Sequence, residues 1–226
     1  MTKANFFAPD GLFAADDAIR LRCIGKADME AYLDIQREKP TLQRMLALDV
    51  EGLHSALWDA FTNENDLNCA IIGREDGRFY GYCGLQKYRS EAPELQIELL
   101  RAWRGQGIGG RALRLLMARY THLTGQGFYI ANVAADNVAS QSLMRKLGGV
   151  PRGVIPFPGA TEEMLRLFDS SDRAYDRALY AALAREFSTT ERTLKSHVLS
   201  FRIPAPIAAA PTKTAAGSPP SPPCRR

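Results

Sequence analysis

The sequence predicts an α/β protein built on one mixed sheet, an antiparallel meander followed by a parallel strand–helix–strand crossover. Three observations predict it. Two apolar runs, Asn68–Gly73 and Phe79–Leu85, flank Arg74-Glu75-Asp76-Gly77-Arg78, whose Asp-Gly pair signals a hairpin. A third run, Glu94–Leu100, alternates Leu95, Ile97 and Leu99 with Glu94, Gln96 and Glu98, which marks a strand with one polar face. A glycine-rich stretch then leads into the helical pattern Arg111–Tyr120 and a short strand, Phe128–Val133, which a right-handed crossover would set parallel to the third run.

The remaining elements follow from local signals. Residues 1–18 form a lead-in whose Phe6, Phe7, Leu12 and Phe13 suit packing on the body. Ile19–Ile24 alternates as a first strand. Lys26–Gln36 carries Met29, Tyr32, Leu33 and Ile35 at helical spacing, with Asp28 near its positive end and Pro40 beyond its other end. Thr41–Leu48 and Val50–Phe61 carry two more helical patterns. Asn137–Leu147 is a helix stopped by Gly148-Gly149. Val150–Phe157 and Glu163–Phe168 read as the last two strands, joined through Pro156, Pro158 and Gly159. These bounds give a main domain over 19–169.

Residues 170–200 read as a helical extension. Tyr175, Leu179, Leu183 and Phe187 recur every four residues in Asp172–Phe187, and Ser188–Val198 has room for one more short helix. The longer helix has three places open to it: the body of its own chain, a second subunit in a homodimer, or the neighbourhood of the functional site. Residues 201–226 are rich in Pro, Ala, Ser and Thr and read as a disordered tail, because such a composition buries too little to order itself.

Composition excludes several function classes. The chain has 226 residues, 46% hydrophobic, with a formal net charge of +4, enough for a domain with a real core. From Arg202 onward there are four cations (Arg202, Lys213, Arg225, Arg226) and no acid, which accounts for the whole excess. The body is formally neutral and carries no electrostatic footprint for nucleic acid. No apolar stretch approaches the roughly 20 residues of a membrane span. His54, His122 and His197 are scattered and Cys23, Cys69, Cys83 and Cys224 form no C-x-x-C pair, so no metal site is expected. Strand-borne single cysteines, and an N-terminus with three acids and no long apolar run, fit a reducing cytoplasmic setting.

The glycine-rich stretch, Arg104-Gly105-Gln106-Gly107-Ile108-Gly109-Gly110, is where chemistry is expected. Strand, glycine turn and helix N-terminus together make an anion site, because the first N–H groups of a helix are unpaired and its dipole favours negative charge. Two patterns fit the same residues. Gly105, Gly107 and Gly110 match the dinucleotide fingerprint G-x-G-x-x-G; Arg104, Gly107 and Gly109 match R/Q-x-x-G-x-G/A. A dinucleotide strand is buried on both faces and runs straight into its first glycine. Here one face of Glu94–Leu100 is polar and Arg101–Arg104 intervene, which favours the second pattern. A Walker loop is excluded, since no Gly-Lys-Ser/Thr follows.

The second pattern resembles the coenzyme A pyrophosphate loop of the GNAT superfamily of N-acetyltransferases. A second landmark, Asn137-Val138-Ala139-Ser140-Gln141-Ser142-Leu143-Met144-Arg145-Lys146-Leu147-Gly148, is similar to the N-x-x-S/A-x-x-L…K-L-G helix of the branch that includes ribosomal-protein alanine acetyltransferases. With the order of elements, the resemblance covers about Ile19–Phe168 and implies a sheet with helices on both faces. It implies acetyl-CoA as acyl donor, no metal, and direct transfer to a primary amine of a small molecule or peptide. By the same resemblance, Arg104, Gly105, Gln106, Gly107, Ile108, Gly109 and Gly110 face the pyrophosphate. Leu99 and Leu100 offer backbone bonds to the pantetheine arm, which lies where their strand splays from Phe128–Val133. Asn137 and Ser140 contact the arm from the next helix.

The attacking amine must lose a proton, and Glu94 and Glu98 on the polar face are the candidate bases. Met144 stands where many members of the superfamily carry a tyrosine acid, and methionine has no proton to give. That substitution keeps a second reading open, an acyl-CoA-binding module without catalysis. A dinucleotide oxidoreductase is the third. Glu38, Asp49, Glu162 and Glu163 are acids able to attract a cationic acceptor.

Overall fold

The computed structural model describes residues 2–39, 43, 46, 52–170 and 175–206. The expected helix over Thr41–Leu48, apart from the helical Gln43 and Leu46, the tail from residue 207 and Cys224 lie outside the described residues. The fold is an eight-stranded sheet in the order β1-β2-β3-β4-β5-β6-β8-β7. Its strands are β1 (Leu12–Ala15), β2 (Ile19–Cys23), β3 (Leu67–Gly73), β4 (Phe79–Gln86), β5 (Glu94–Leu99), β6 (Phe128–Ala134), β7 (Val150–Pro156) and β8 (His197–Pro204). Around it stand α1 (Met29–Arg37), α2 (Leu53–Phe61), α3 (Ile108–Thr124), α4 (Val138–Lys146), α5 (Glu162–Ser170) and α6 (Arg177–Glu186).

The amino half contains the expected meander, β3 to β5, extended by β2 and by β1, a strand where the lead-in was expected to be irregular. β1 to β5 pair antiparallel, each with the next. The Asp-Gly turn works through Gly77, at φ +67°, and through the Asp76 carboxylate, which accepts from the Arg78 N–H at 3.0 Å. β3 is buried along its whole length because both faces are covered. Leu67, Cys69 and Ile71 join the main core beneath α3, while Ala70 and Ile72 join a smaller core beneath α1 and α2. Helices therefore lie on both faces. The lead-in packs on the body: Phe6 is buried and stacks on Tyr120 at 5.3 Å.

The carboxyl half corrects the sequence reading. Residues 163–168 are not a strand; they lie within α5, whose first turn holds Glu162 and Glu163, acids that suit a helix start. The missing strand is β8, from a segment expected to be helix and tail. It enters between β6 and β7, antiparallel to both. Leu199, Phe201 and Ile203 go to the main core, and only a single 3₁₀ turn, Thr193–Lys195, precedes it. The sheet thus extends beyond the 19–169 segment at both ends, through β1 and β8. α6 lies on the body of its own chain, with Tyr180 and Leu183 in the main core and Glu186 gripping Arg145 of α4 at 2.7 Å.

Candidate active site

β5 is joined to β4 by pairs running from Gly81–Leu99 to Gln86–Glu94. Its parallel partner β6 meets it at one pair, Glu94–Ile130. Beyond that pair the strands part, leaving an opening flanked by the carboxyl ends of both. Leu100 donates its N–H to Tyr80 O at 3.0 Å and accepts from Trp103 N–H at 2.9 Å, so its backbone groups are already engaged. Successive residues of a strand point these groups to opposite sides. The N–H and C=O of Leu99 therefore face the opening. Of the two leucines, Leu99 turns these groups to that side and Leu100 does not.

After β5 a 3₁₀ turn, Arg101–Trp103, carries the chain into the glycine loop. Gly105 and Gly107 have φ +74° and +79°, and a side chain at either would meet nothing within 4 Å. Their conformation requires glycine and the space before them is open. Gly109 and Gly110 serve differently: a Cβ there would lie 3.2 Å from Ile97 Cδ1 and 3.3 Å from Leu143 Cδ1, so they let α3 approach β5 and α4. The Arg111 N–H bonds back to Gly107 O at 3.1 Å, and the N–H groups of Ile108, Gly109 and Gly110 precede any intrahelical acceptor. Gln106 Nε2 ties the loop to Ala102 O at 2.7 Å.

Arg104 turns away from those N–H groups. Its Nε donates to Leu99 O at 2.8 Å and its guanidinium pairs with Glu38, which also accepts from the Arg101 N–H at 3.0 Å. Its structural role is thus to tie the loop to the end of α1. A cation that the motif did not indicate, Arg114, stands closer to the helix start, with Nη1 3.4 Å from where a Gly110 Cβ would be. Across the opening, Asn137 caps α4 by accepting from Ser140 N–H at 3.1 Å. Met144 is buried in the main core at 3% exposure, and Ser142 is exposed.

The polar face of β5 looks toward α1. Glu94 and Glu98 share it but lie four residues apart, about 13 Å along a strand. Gln96, between them, is held by Asn68 and by Gln86, the latter at 3.2 Å. Burial pushes the Glu94 carboxyl above its usual value, against the pull of Asn132 and Lys87. Glu98 is half-buried and holds Lys39 Nζ at 2.6 Å. Its cross-strand partner is Tyr82. Burial, with the Glu98 charge behind it, raises the Tyr82 phenol and pushes that of Tyr32 up to about 12, so both stay neutral. Lys39, Gln36 and Arg114 were not among the expected site residues; single polar residues on a helix or just beyond its end carry no motif. A cleft of about 590 Å³ lined by Asn63, Asp66, Gln86 and Lys87 lies at the other end of β5, and none of the expected site residues lines it.

A strand polar on one face, parted from its parallel neighbour and running into a glycine loop that opens a helix, defines a class, the GNAT-type acyltransferases. Residues 17–150, more than half of the chain, match the acetyltransferase (GNAT) domain, and the chain belongs to that family. None of the curated proteins matches it. Among solved structures it is similar to a proposed ribosomal-protein-serine acetyltransferase from Vibrio cholerae, with 14% identity and a TM-score of 0.56 over 88% of this chain and 99% of that one. RimL, a ribosomal L7/L12 α-N-protein acetyltransferase, gives 13% and 0.51 over 86% and 98%. A mutant of the spermidine N-acetyltransferase SpeG from Vibrio cholerae gives 11% and 0.54 over 84% and 95%. At these identities the likeness is one of fold. Among the described residues no helix is long and apolar enough to cross a membrane, and no cluster of three His, Cys, Asp or Glu could hold a metal.

Proposed function

We propose that this chain is a cytoplasmic N-acetyltransferase that uses acetyl-CoA as donor and the primary amine of a small molecule or peptide as acceptor. The observation that carries the reading is the pair Gly105 and Gly107, left-handed and open in front, at the mouth of a seam closed by one strand pair. Acetyl-CoA supplies the acyl group on a thiolate that leaves readily. The N–H groups from Gly105 to Gly110 and the positive end of α3 suit its pyrophosphate. Leu99 offers its N–H to the arm, its C=O being held by Arg104 Nε, with Asn137 and Ser140 opposite. The Leu99 N–H is also placed for the thioester oxygen, where charge develops.

Glu98, next to Leu99, takes the amine proton directly or through water. Glu94, about 13 Å back along the strand, is too far to share that task. With Met144 buried, the departing sulfur takes its proton from water or from exposed Ser142. The cytoplasmic assignment draws support from Cys69 and Cys83, neighbours across β3 and β4 that remain free thiols.

Calorimetric titration with acetyl-CoA, with NAD and NADP as controls, tests the reading. Micromolar binding of acetyl-CoA alone is expected, weakened at least tenfold, about 1.4 kcal/mol, in Gly107→Glu, whose carboxylate would stand in the phosphate space. Preference for a nicotinamide dinucleotide would overturn it. Binding without thiol release in the presence of amines would identify the module without catalysis.

A further inference from the structure

An acceptor amine needs a base, a seat for its ammonium and a place beside the thioester. The chain already holds one primary amine against the candidate base. Lys39 Nζ lies 2.6 Å from Glu98 Oε1 and 2.9 Å from Gln36 Oε1. An ammonium has three N–H donors and no acceptor, so a carboxylate oxygen and an amide oxygen are the groups that should receive it.

The seat is built into the fold. Gln36, on α1, is 3% exposed, and its Nε2 has no partner among the described residues. Glu98 is fixed on β5 against buried Tyr82 and stands next to Leu99, whose N–H faces the opening. Lys39 itself is 42% exposed at its side chain and follows the end of α1 on a flexible four-carbon stem. An ion pair this open to solvent is worth at most about 1 kcal/mol, so the Lys39 nitrogen is not locked onto the carboxylate.

We propose that Lys39 is an acceptor within the chain itself, acetylated on Nζ in the chain's own site; this rests on the acetyltransferase reading above. One ammonium proton passes to Glu98, directly or through water. The Nζ lone pair forms a C–N bond with the thioester carbonyl carbon. The C–S bond breaks, the sulfur leaves with the electron pair, and the second Nζ proton reaches it through water to give the thiol. Glu98 returns its proton to solvent. The products are an Nζ-acetyl amide and free coenzyme A thiol. The acetylated side chain has no charge, so Glu98 is released to receive an external ammonium. Lys39 is thus both a stand-in for the acceptor and a modification that clears the acceptor seat.

The test incubates the full chain with acetyl-CoA, follows thiol release without added amine, and measures acetyl occupancy at each lysine by mass spectrometry of peptides. Lys39 should acetylate at least about tenfold faster than the other lysines, at a rate independent of protein concentration, as a positioned intramolecular step requires. Glu98→Gln and Gly107→Glu should each bring Lys39 down to the chemical background. The thiol release seen without amine should vanish in Lys39→Arg. Lys39 acetylating no faster than the other lysines, in a chain that binds acetyl-CoA and turns over an added amine, would overturn the inference and leave the acetyltransferase reading standing. A Lys39 rate that rises with protein concentration would overturn it too, since transfer would then run between molecules. Absence of acetyl-CoA binding would remove both.

Discussion

Along its β4 side β5 is paired from Gly81–Leu99 through to Gln86–Glu94; along its β6 side it is paired only at Glu94–Ile130. The two seams use the same strand for opposite ends. The closed one consumes backbone groups, including the N–H of Leu100. The open one leaves the backbone groups of Leu99 unclaimed by any strand. An opening of this kind survives only because the other side is fully closed, since a strand with neither edge paired would not hold its register. The single pair at Glu94 is the hinge of the opening. Glu98 stands at its wide end and Glu94 at its closed end, which gives two glutamates on one face different surroundings.

The largest effect should come from breaking the closed seam. Gly81 has φ +154°, and a Cβ there would lie 2.2 Å from Glu98 O and 2.7 Å from Leu99 Cα. Backbone atoms cannot yield as a side-chain tip can. Gly81→Val should therefore cost more than about 3 kcal/mol, the upper end of overpacking, and a melting temperature lowered by 6 °C or more is expected for a chain of this size. A variant as stable as the parent would show that β4 does not hold β5 as described.

Next is the wide end of the open seam. Glu98→Gln keeps the side-chain shape, can still bond Tyr82, and cannot take a proton. A loss of about 10²-fold or more in kcat is expected, with the dissociation constant of acetyl-CoA little changed, because a base acts on the amine and not on donor binding. Steady-state kinetics with a saturating amine, beside calorimetry, would separate the two. Equal losses in donor affinity and turnover would mean that Glu98 shapes the opening and is not its base.

How much of this was legible depends on how each signal is encoded. The meander and the glycine loop were readable because hairpin turns, alternation and left-handed glycines are local properties. Gly105 and Gly107 show this: their conformation demands glycine whatever surrounds them. Gly109 and Gly110 gave the same letter for a different reason, close packing, which no motif distinguishes. β8 had a signal, Leu199, Phe201 and Ile203 alternating with Ser200 and Arg202, but it follows a helical extension and merges into a proline-rich tail. Glu163–Phe168 lacked strict alternation: Met164, Leu165, Leu167 and Phe168 fall at helical offsets behind two acids. Position within the sheet was not readable at all, because β8 enters between strands that precede it in the chain. The seat at Glu98 was half legible. The glutamate follows from alternation, whereas Gln36 and Lys39 reach it only because α1 crosses that face.

The smallest effect belongs to the hinge of the opening. Glu94 is a carboxyl raised by burial, so the folded chain keeps its proton to a higher pH than the unfolded chain, whose value lies near 4.5. Between those two values the unfolded state loses the proton first. Folded-state stability is then fully present below the unfolded value and falls as pH rises through the folded one. Replacing Glu94 by Gln removes the ionisation but retains an amide able to bond Asn132, whose Oδ1 is buried without a partner among the described residues. Glu94→Gln should therefore melt higher than the parent at pH 7 and match it at pH 4. The gap should open progressively above the ordinary carboxylate range. Melting curves of both chains across that interval would check it. A gap of the opposite sign would mean that the Glu94 carboxylate is welcomed in the fold, and that the seam at Ile130 is held by its charge and not merely by the strand pair.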